Sequence, residues 1–156
     1  MRGGISMVSK RHARANNPAV EGYDPEKPNS SILYLDANNL YGWAMSQALP
    51  TGGFRWDCDR LHETITDLPV DGPEGYILEV DLEYPQELHD EHNTYPLAPE
   101  RMVVQKEWMS DYQQELLGVG VAPTEVEKLV PNLRDKERYV LHYRNLQLYL
   151  SLGMRV

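Results

Sequence analysis

An aspartate at the end of an apolar run is the feature of this sequence best suited to chemistry. Residues 32–35 read Ile-Leu-Tyr-Leu, Asp36 follows, and a polar turn occupies 37–39. The apolar run predicts a buried strand over 32–36. A strand end fixes a carboxylate, so Asp36 and backbone carbonyls of the turn could bind a divalent metal. The alternative is that Asp36 caps a following helix.

Tyr41 stands five residues after Asp36. Beyond such a turn, its ring could lie under the sugar of a bound nucleotide and exclude a 2′-hydroxyl. The alternative is a core tyrosine that packs beside Trp43. The residue types alone leave both interpretations open.

The first fourteen residues offer groups that suit a phosphate backbone. Two adjacent glycines allow close backbone approach to a phosphate, although most such pairs are turns. Nearby cations could follow a nucleic-acid strand or form a solvated helix face. These candidate DNA-binding residues are Arg2, Gly3, Gly4, Lys10, Arg11 and Arg14.

Composition limits the class of protein. The 156 residues are 41% apolar, which fits about one globular domain. No apolar run reaches the roughly 20 residues that span a membrane, and one cysteine excludes an internal disulfide. We therefore expect an intracellular chain with no membrane partner; nucleus, cytoplasm and virus factory are not distinguished.

The net charge of −9 is unevenly distributed. Residues 57–100 hold thirteen acids against one base, whereas residues 1–20 hold four bases and no acid. This pattern argues against a uniform nucleic-acid coat but leaves room for a local phosphate contact. His89 and His92 are three apart, but no further ligands accompany them, so a zinc site is not expected.

Hydrophobic periodicity predicts an α+β chain. Residues 16–31 and 86–104 are expected to be loop or extended. The expected strands are 32–36, 75–85 and 137–143, and the expected helices are 40–49, 110–120 and 144–154.

Several segments together resemble the protein-primed family B DNA polymerases, particularly those of Maverick/Polinton-like transposons and related viruses. The first catalytic motif of that family, Asp-x-x-Ser-Leu-Tyr-Pro, stands here as DANNLYG, with Asn39 for Ser and Gly42 for Pro. The family's Tyr-x-Gly-Gly element stands as MRGG, with Met1 at the tyrosine position. YILEVDLEYP and YPLAPE are also similar, and the resemblance spans nearly the whole chain.

The resemblance implies a fragment of a DNA-directed DNA polymerase that transfers nucleotides from dNTP to a DNA or protein-primed 3′-hydroxyl. Asp36 would be the catalytic carboxylate for two Mg²⁺ ions, with the Ala37 carbonyl as a further ligand. The backbone of Asn38, Asn39 and Leu40 would hold the triphosphate, and Tyr41 would be the steric gate. The partners would be template-primer DNA, dNTP and, in protein-primed members, a terminal protein.

The resemblance also implies a domain plan. Residues 1–31 would link exonuclease and polymerase parts, 32–104 would be a palm segment, and 105–156 would begin a palm insertion. The fold would be a partial palm with a mostly antiparallel sheet flanked by helices, incomplete as a domain. The family's Lys-x-x-x-Asn-Ser-x-Tyr-Gly and Asp-Thr-Asp motifs are absent from the 156 residues. We therefore expect the isolated chain to be inactive. The alternative is a non-catalytic DNA- or protein-binding remnant of a mobile element.

Overall fold

The computed structural model describes residues 5–56, 65–118 and 126–156. It divides the chain into two compact units, Lys10–Leu61 and His62–Val156 with Met1–Ser9. The described parts contain four α-helices and two antiparallel two-stranded sheets, which confirms the α+β class. Among the described residues, no helix is both long and apolar enough to cross a membrane. The palm and the three-part domain plan remain predictions.

Residues 16–30 of the Lys10–Leu61 unit form a loop whose two ends are hydrogen-bonded to each other. Asn16 and Ser30 exchange backbone hydrogen bonds of 3.1 and 2.7 Å. The Asn16 side chain fills the loop, because its Oδ1 accepts from the Asp24 amide at 2.9 Å and its Nδ2 donates to the Asp24 carbonyl at 3.0 Å. The predicted loop over 16–31 is therefore confirmed.

The predicted buried strand over 32–36 is wrong. These residues form no strand, and their side chains are exposed, with Tyr34 at 90%. A strand needs a hydrogen-bonded neighbour, and the described part of this unit contains no strand with which they could pair. The described part of this unit also has no buried residue, so the apolar run has no core to enter.

Helix α1, Leu40–Met45, follows the turn. It confirms the start of the predicted helix over 40–49 but ends four residues early. The Ser46 amide makes a last helical bond to the Gly42 carbonyl at 3.1 Å, and the Ser46 hydroxyl donates to the Trp43 carbonyl at 2.7 Å. A serine hydroxyl competes with the backbone in this way, so the helix stops before Pro50.

Strands β1, Ile77–Leu82, and β4, Lys136–His142, form the larger sheet of the second unit. They pair antiparallel, with Leu78 opposite Leu141 and Leu82 opposite Lys136. Leu78 and Leu82 are buried while the intervening odd-numbered residues are exposed, as alternation along a half-buried strand requires. The predicted strands over 75–85 and 137–143 are confirmed, with narrower bounds for the first.

A bulge interrupts this sheet at Arg138. The register shifts between Val80 and Leu82, and Arg138 adopts a left-handed φ of 49°. The Asp81 carboxylate accepts from the Arg138 amide at 2.7 Å, and the Arg138 guanidinium pairs with Glu79 at 3.0 Å. The carboxylate thus replaces the ladder bond that the extra residue removes.

The smaller sheet was not foreseen. Strands β2, Glu100–Met102, and β3, Lys128–Val130, are three residues each and pair antiparallel. Residues 86–104 also contain a 3₁₀ turn, Gln86–Leu88, and helix α2, His89–His92. Elements this short carry too few residues to show a period.

Helices α3, Asp111–Gly118, and α4, Tyr143–Ser151, confirm the predictions for 110–120 and 144–154. Ser110 and Gln113 form a reciprocal capping box before α3, with bonds of 3.0 and 3.3 Å. Beyond α4, Gly153 takes a left-handed φ of 97°. Glycine adopts that conformation at little cost, so it ends the helix.

Helix α4 anchors the segment before β1. Tyr143 and Leu146 are its buried residues. The Gln147 amide donates to the Ile65 carbonyl at 2.7 Å, and the Tyr143 hydroxyl donates to the Pro69 carbonyl at 2.8 Å. The core of this unit lies between α4, the β1–β4 sheet and the buried residues Leu97 and Ala98.

Candidate functional site

The Asp36 carboxylate lies exposed on the loop that leads into α1. No described group hydrogen-bonds to it or forms an ion pair with it. Asn39, not Asp36, occupies the N-cap position, and no side-chain cap bond forms there. The helix-cap interpretation of Asp36 is therefore wrong, and its oxygens remain available to a ligand.

The turn depends on two residues where the sequence departs from the family motif. Asn39 has a left-handed φ of 53° and ψ of 40°, a conformation that asparagine tolerates better than most residues. Its side chain lies against the backbone of Gly42. A Cβ at position 42 would stand 2.5 Å from Oδ1 and from Nδ2 of Asn39. The two departures are thus coupled by contact, since the Asn39 side chain occupies the space that a side chain at 42 would need.

Tyr41 is 86% exposed, and Trp43 and Leu40 are also exposed. The interpretation of Tyr41 as a core residue beside Trp43 is wrong. Its ring is accessible from solvent on the same helical turn that follows Asp36. Ala37 and Asn38 are exposed as well, so every predicted nucleotide-binding residue, 37–41, lies on one short, accessible segment.

The metal expectation fits these residues only in part. Asp36 offers one carboxylate, and the Ala37 carbonyl is the one neighbour predicted to join it. Magnesium requires near-octahedral oxygen coordination, and two ions need carboxylates that bridge them. In residues 5–56, 65–118 and 126–156, no group of three or more His, Cys, Asp or Glu side chains could hold a metal. The described residues therefore do not make a two-metal centre.

The predicted DNA-binding residues divide into three groups. Arg2, Gly3 and Gly4 lie outside the described residues. Arg14 is engaged locally, because its Nη2 donates to the Glu21 carbonyl at 3.0 Å.

Lys10 and Arg11 are exposed, and no described residue bonds to their side chains. Residues 10–14 form no helix, so the alternative of a solvated helix face does not apply. Lys10 and Arg11 are therefore the members of the predicted set whose described side chains are available to a phosphate.

The segment 32–56 carries an unusual amount of exposed apolar surface. Its only charged residues are Asp36 and Arg55. The exposed members are Ile32, Leu33, Tyr34, Leu35, Leu40, Tyr41, Trp43, Met45, Leu49, Phe54 and Trp56. Exposed apolar side chains in this number are typical of an interaction site. We call it the apolar segment.

In the second unit, His89 and His92 both form hydrogen bonds with Tyr84. The Tyr84 hydroxyl accepts from the Leu97 amide at 3.2 Å and shares a hydrogen bond of 2.9 Å with Nδ1 of His92. Nε2 of His89 donates to the Tyr84 carbonyl at 3.2 Å. Burial raises the pKa of the Tyr84 hydroxyl, so the tyrosine stays protonated. No pattern in the sequence indicates that Tyr84 contacts both rings.

A buried lysine is the other feature that sequence reasoning missed. Lys136 is 1% exposed, and its ammonium lies 3.2 Å from a Glu100 carboxylate oxygen. It also donates to the backbone carbonyl of Asn132 at 3.3 Å and to the Asn132 side-chain oxygen. Burial lowers the pKa of Lys136, and the charge of Glu100 opposes that shift. The pair links β4 to the β2–β3 sheet, so its role is structural.

Compared with protein-family models, with curated proteins and with solved structures, the chain matches none of them. The described residues form a small α+β fold.

Proposed function

We propose that the chain is part of a DNA-directed DNA polymerase of the protein-primed family B type. The observation that carries the proposal is the turn 36–41, which exposes an unpaired Asp36 carboxylate and the Tyr41 ring together. A nucleotidyl-transfer site needs a carboxylate free to bind metal and an adjacent surface for the incoming nucleotide.

Each residue of the turn has a role in this proposal. Asp36 and the Ala37 carbonyl would contribute to the binding of Mg²⁺, whose chemistry is to neutralise the reacting phosphate. The backbone of Asn38 to Leu40 would lie along the triphosphate. Tyr41 would exclude ribonucleotides by filling the space of a 2′-hydroxyl. Since this chain offers one such carboxylate among its described residues, it is inactive alone.

The first test is to read the DNA on both sides of the coding segment in frame. The proposal expects the Lys-x-x-x-Asn-Ser-x-Tyr-Gly and Asp-Thr-Asp motifs downstream within one open frame. A stop directly after Val156 would leave the polymerase interpretation as ancestry alone.

The protein from such a frame permits a sharper test by primer extension. Asp36→Asn should abolish extension, whereas Asp67→Asn, an exposed acid in the other unit, should not. Tyr41→Val should raise ribonucleotide incorporation while Tyr34→Val leaves it unchanged. Equal effects of Asp36→Asn and Asp67→Asn would refute the assignment of Asp36.

A second candidate function is a non-catalytic binding module, favoured by the apolar segment. The partner that this chain itself supplies is a second copy. Five of the eleven exposed residues are aromatic. At roughly 150–250 Å² each, these five side chains alone offer about the roughly 800 Å² per partner of a stable interface. This function predicts a dimer in sedimentation that Tyr34→Ser with Trp56→Ser dissociates. A monomer at every concentration tested would contradict it.

A further inference from the structure

A cleft opens beside the β2–β3 sheet of the second unit, whereas the proposed polymerase turn belongs to the first. Its volume is about 300 Å³, the lower end of the range for small-ligand sites. Its apolar lining comes from Met102, Val104, Trp108, Val130 and Pro131. Asn132 and Arg134 are its polar lining residues. The cleft therefore has room for a largely apolar group of about one ring system.

One cation stands at this cleft without a counter-ion. The Arg134 guanidinium lies over the Trp108 ring, 4.2 Å from its centroid. No described carboxylate lies within ion-pair distance of it. The adjacent acid, Asp135, is turned to the Tyr84 amide, whose nitrogen it bonds at 2.7 Å. The stacking holds the guanidinium in place while its N–H donors stay available for an anion.

The other polar groups near the cleft are already satisfied. Glu100 is paired with Lys136 and accepts from the Asn132 amide at 3.0 Å. The Asn132 oxygen accepts from Lys136 and, at 3.0 Å, from the Arg134 amide. Glu100 is thus neutralised, and a ligand anion would not meet an uncompensated carboxylate from it.

A second cation, Lys128, lies on the face of the β2–β3 sheet that carries Met102. Lys128 is directly opposite Met102 in the β2–β3 register, and directly opposed residues share a face. Lys128 is exposed and bonds to no described residue. By the same register, Arg101 is opposite Leu129 and lies on the other face. Arg134 therefore lines the cleft, Lys128 lies on the sheet face that carries Met102, and Arg101 lies on the opposite face.

We propose that this cleft binds a nucleotide unit. The base packs on the apolar floor beside the Trp108–Arg134 stack, and the phosphate accepts hydrogen bonds from Arg134 and Lys128. A phosphate suits two separate cations better than a singly charged carboxylate does. A flat base suits an apolar slot of this volume. The proposal does not depend on Asp36, since every residue in it belongs to the other unit.

The shared chemistry has two sources, a free nucleotide and an exposed nucleotide of a single strand. Calorimetric titration of the whole chain with AMP, adenosine, inorganic phosphate and an oligodeoxyadenylate of eight residues separates them. If the oligonucleotide binds no more tightly than AMP, the ligand is the free nucleotide. If it binds more tightly and weakens with salt, the ligand is a strand.

Matched variants test the site itself. Arg134→Gln should weaken AMP binding by about tenfold, the loss of one charge-assisted hydrogen bond. Lys128→Gln should weaken it by a smaller factor, and Arg101→Gln, on the opposite face, should change it less than twofold. Trp108→Leu should weaken adenosine and AMP alike.

Three results would overturn the proposal. The first is that AMP fails to bind at millimolar concentration. The second is that Arg134→Gln and Arg101→Gln have equal effects. The third is that phosphate alone binds as well as AMP. Circular dichroism of each variant shows that the fold is retained, and Lys128→Gln, an exposed substitution, keeps the test valid if Trp108→Leu unfolds.

Discussion

Replacing Lys136 by methionine tests whether the buried ion pair holds the second unit together. Methionine keeps a long apolar stem of similar volume, so little cavity forms. The ammonium disappears, and the Glu100 carboxylate loses its partner at 3.2 Å. Two hydrogen bonds from the ammonium to Asn132 are lost at the same time.

The environment of Glu100 sets the size of the effect. Removing one partner of a fully buried ion pair costs about 3–5 kcal/mol. The Glu100 side chain keeps 26% of its exposure and still accepts from the Asn132 amide at 3.0 Å. Water and that amide compensate part of the loss, so we expect about 3 kcal/mol, the low end of the range. That is a large share of the free energy of unfolding of a typical domain, about 5–15 kcal/mol.

Urea unfolding followed by far-ultraviolet circular dichroism measures this loss. The control is Arg155→Met, whose guanidinium pairs with Glu87 at 2.8 Å but is 58% exposed, so it should cost about 0–1 kcal/mol. Adding Glu100→Gln to Lys136→Met should recover much of the loss, because no unpaired charge then remains. A stable single variant, or a double variant no better than the single one, would refute the reasoning.

Further predictions concern pH, the turn and DNA contact. Burial first, and then a neighbouring arginine, lower the pKa of His142, so the unfolded chain binds the proton more readily. The free energy of unfolding should therefore decrease as pH falls below the ordinary value of 6.5, and His142→Asn, which keeps a cap, should flatten this dependence. Gly42→Ala should stabilise the protein less in the presence of Asn39 than in an Asn39→Gly background, as a double-mutant cycle of unfolding free energies would show; equal gains would contradict the contact. If Lys10 and Arg11 each contact a phosphate, neutralising both should reduce the salt slope of single-strand binding by about 1.4, and an unchanged slope would exclude them.

The sequence predicted those elements whose partners lie within the second unit. β1 shows apolar alternation because Leu78 and Leu82 face a core that α4 covers. α4 shows a helical period because Leu146 is buried and Tyr149 and Leu150, three and four residues on, are half-buried. Hydrophobic periodicity in a sequence predicts an element correctly only where the apolar residues have a core to pack against. The three-residue strands β2 and β3 fall below the length at which a pattern is visible.

The roles of Asp36 and Tyr41 remain predictions, whereas the strand predicted to hold Asp36 is wrong. Asp36 and Tyr41 lie on one accessible turn, but the strand expected before them does not form. The prediction took the apolar run 32–35 as evidence of burial. The apolar character is real, yet the described part of the unit supplies neither a pairing strand nor a core. No sequence pattern could have shown the contact between Asn39 and Gly42, because it depends on a left-handed φ.

The proposed active turn, 36–41, lies within the apolar segment, 32–56, so the two candidate functions share residues. An exposed large apolar side chain forgoes about 1.5–3 kcal/mol that burial would provide. Any partner that covers Tyr34 and Leu35 must also come close to Asp36, their chain neighbour. A partner that brought further carboxylates there would complete a metal centre, whereas an apolar partner would bury Asp36 uncompensated and raise its energy. The effect of Asp36→Asn on association separates these cases: it should strengthen binding to an apolar partner and leave metal-dependent binding to a carboxylate-bearing one impaired.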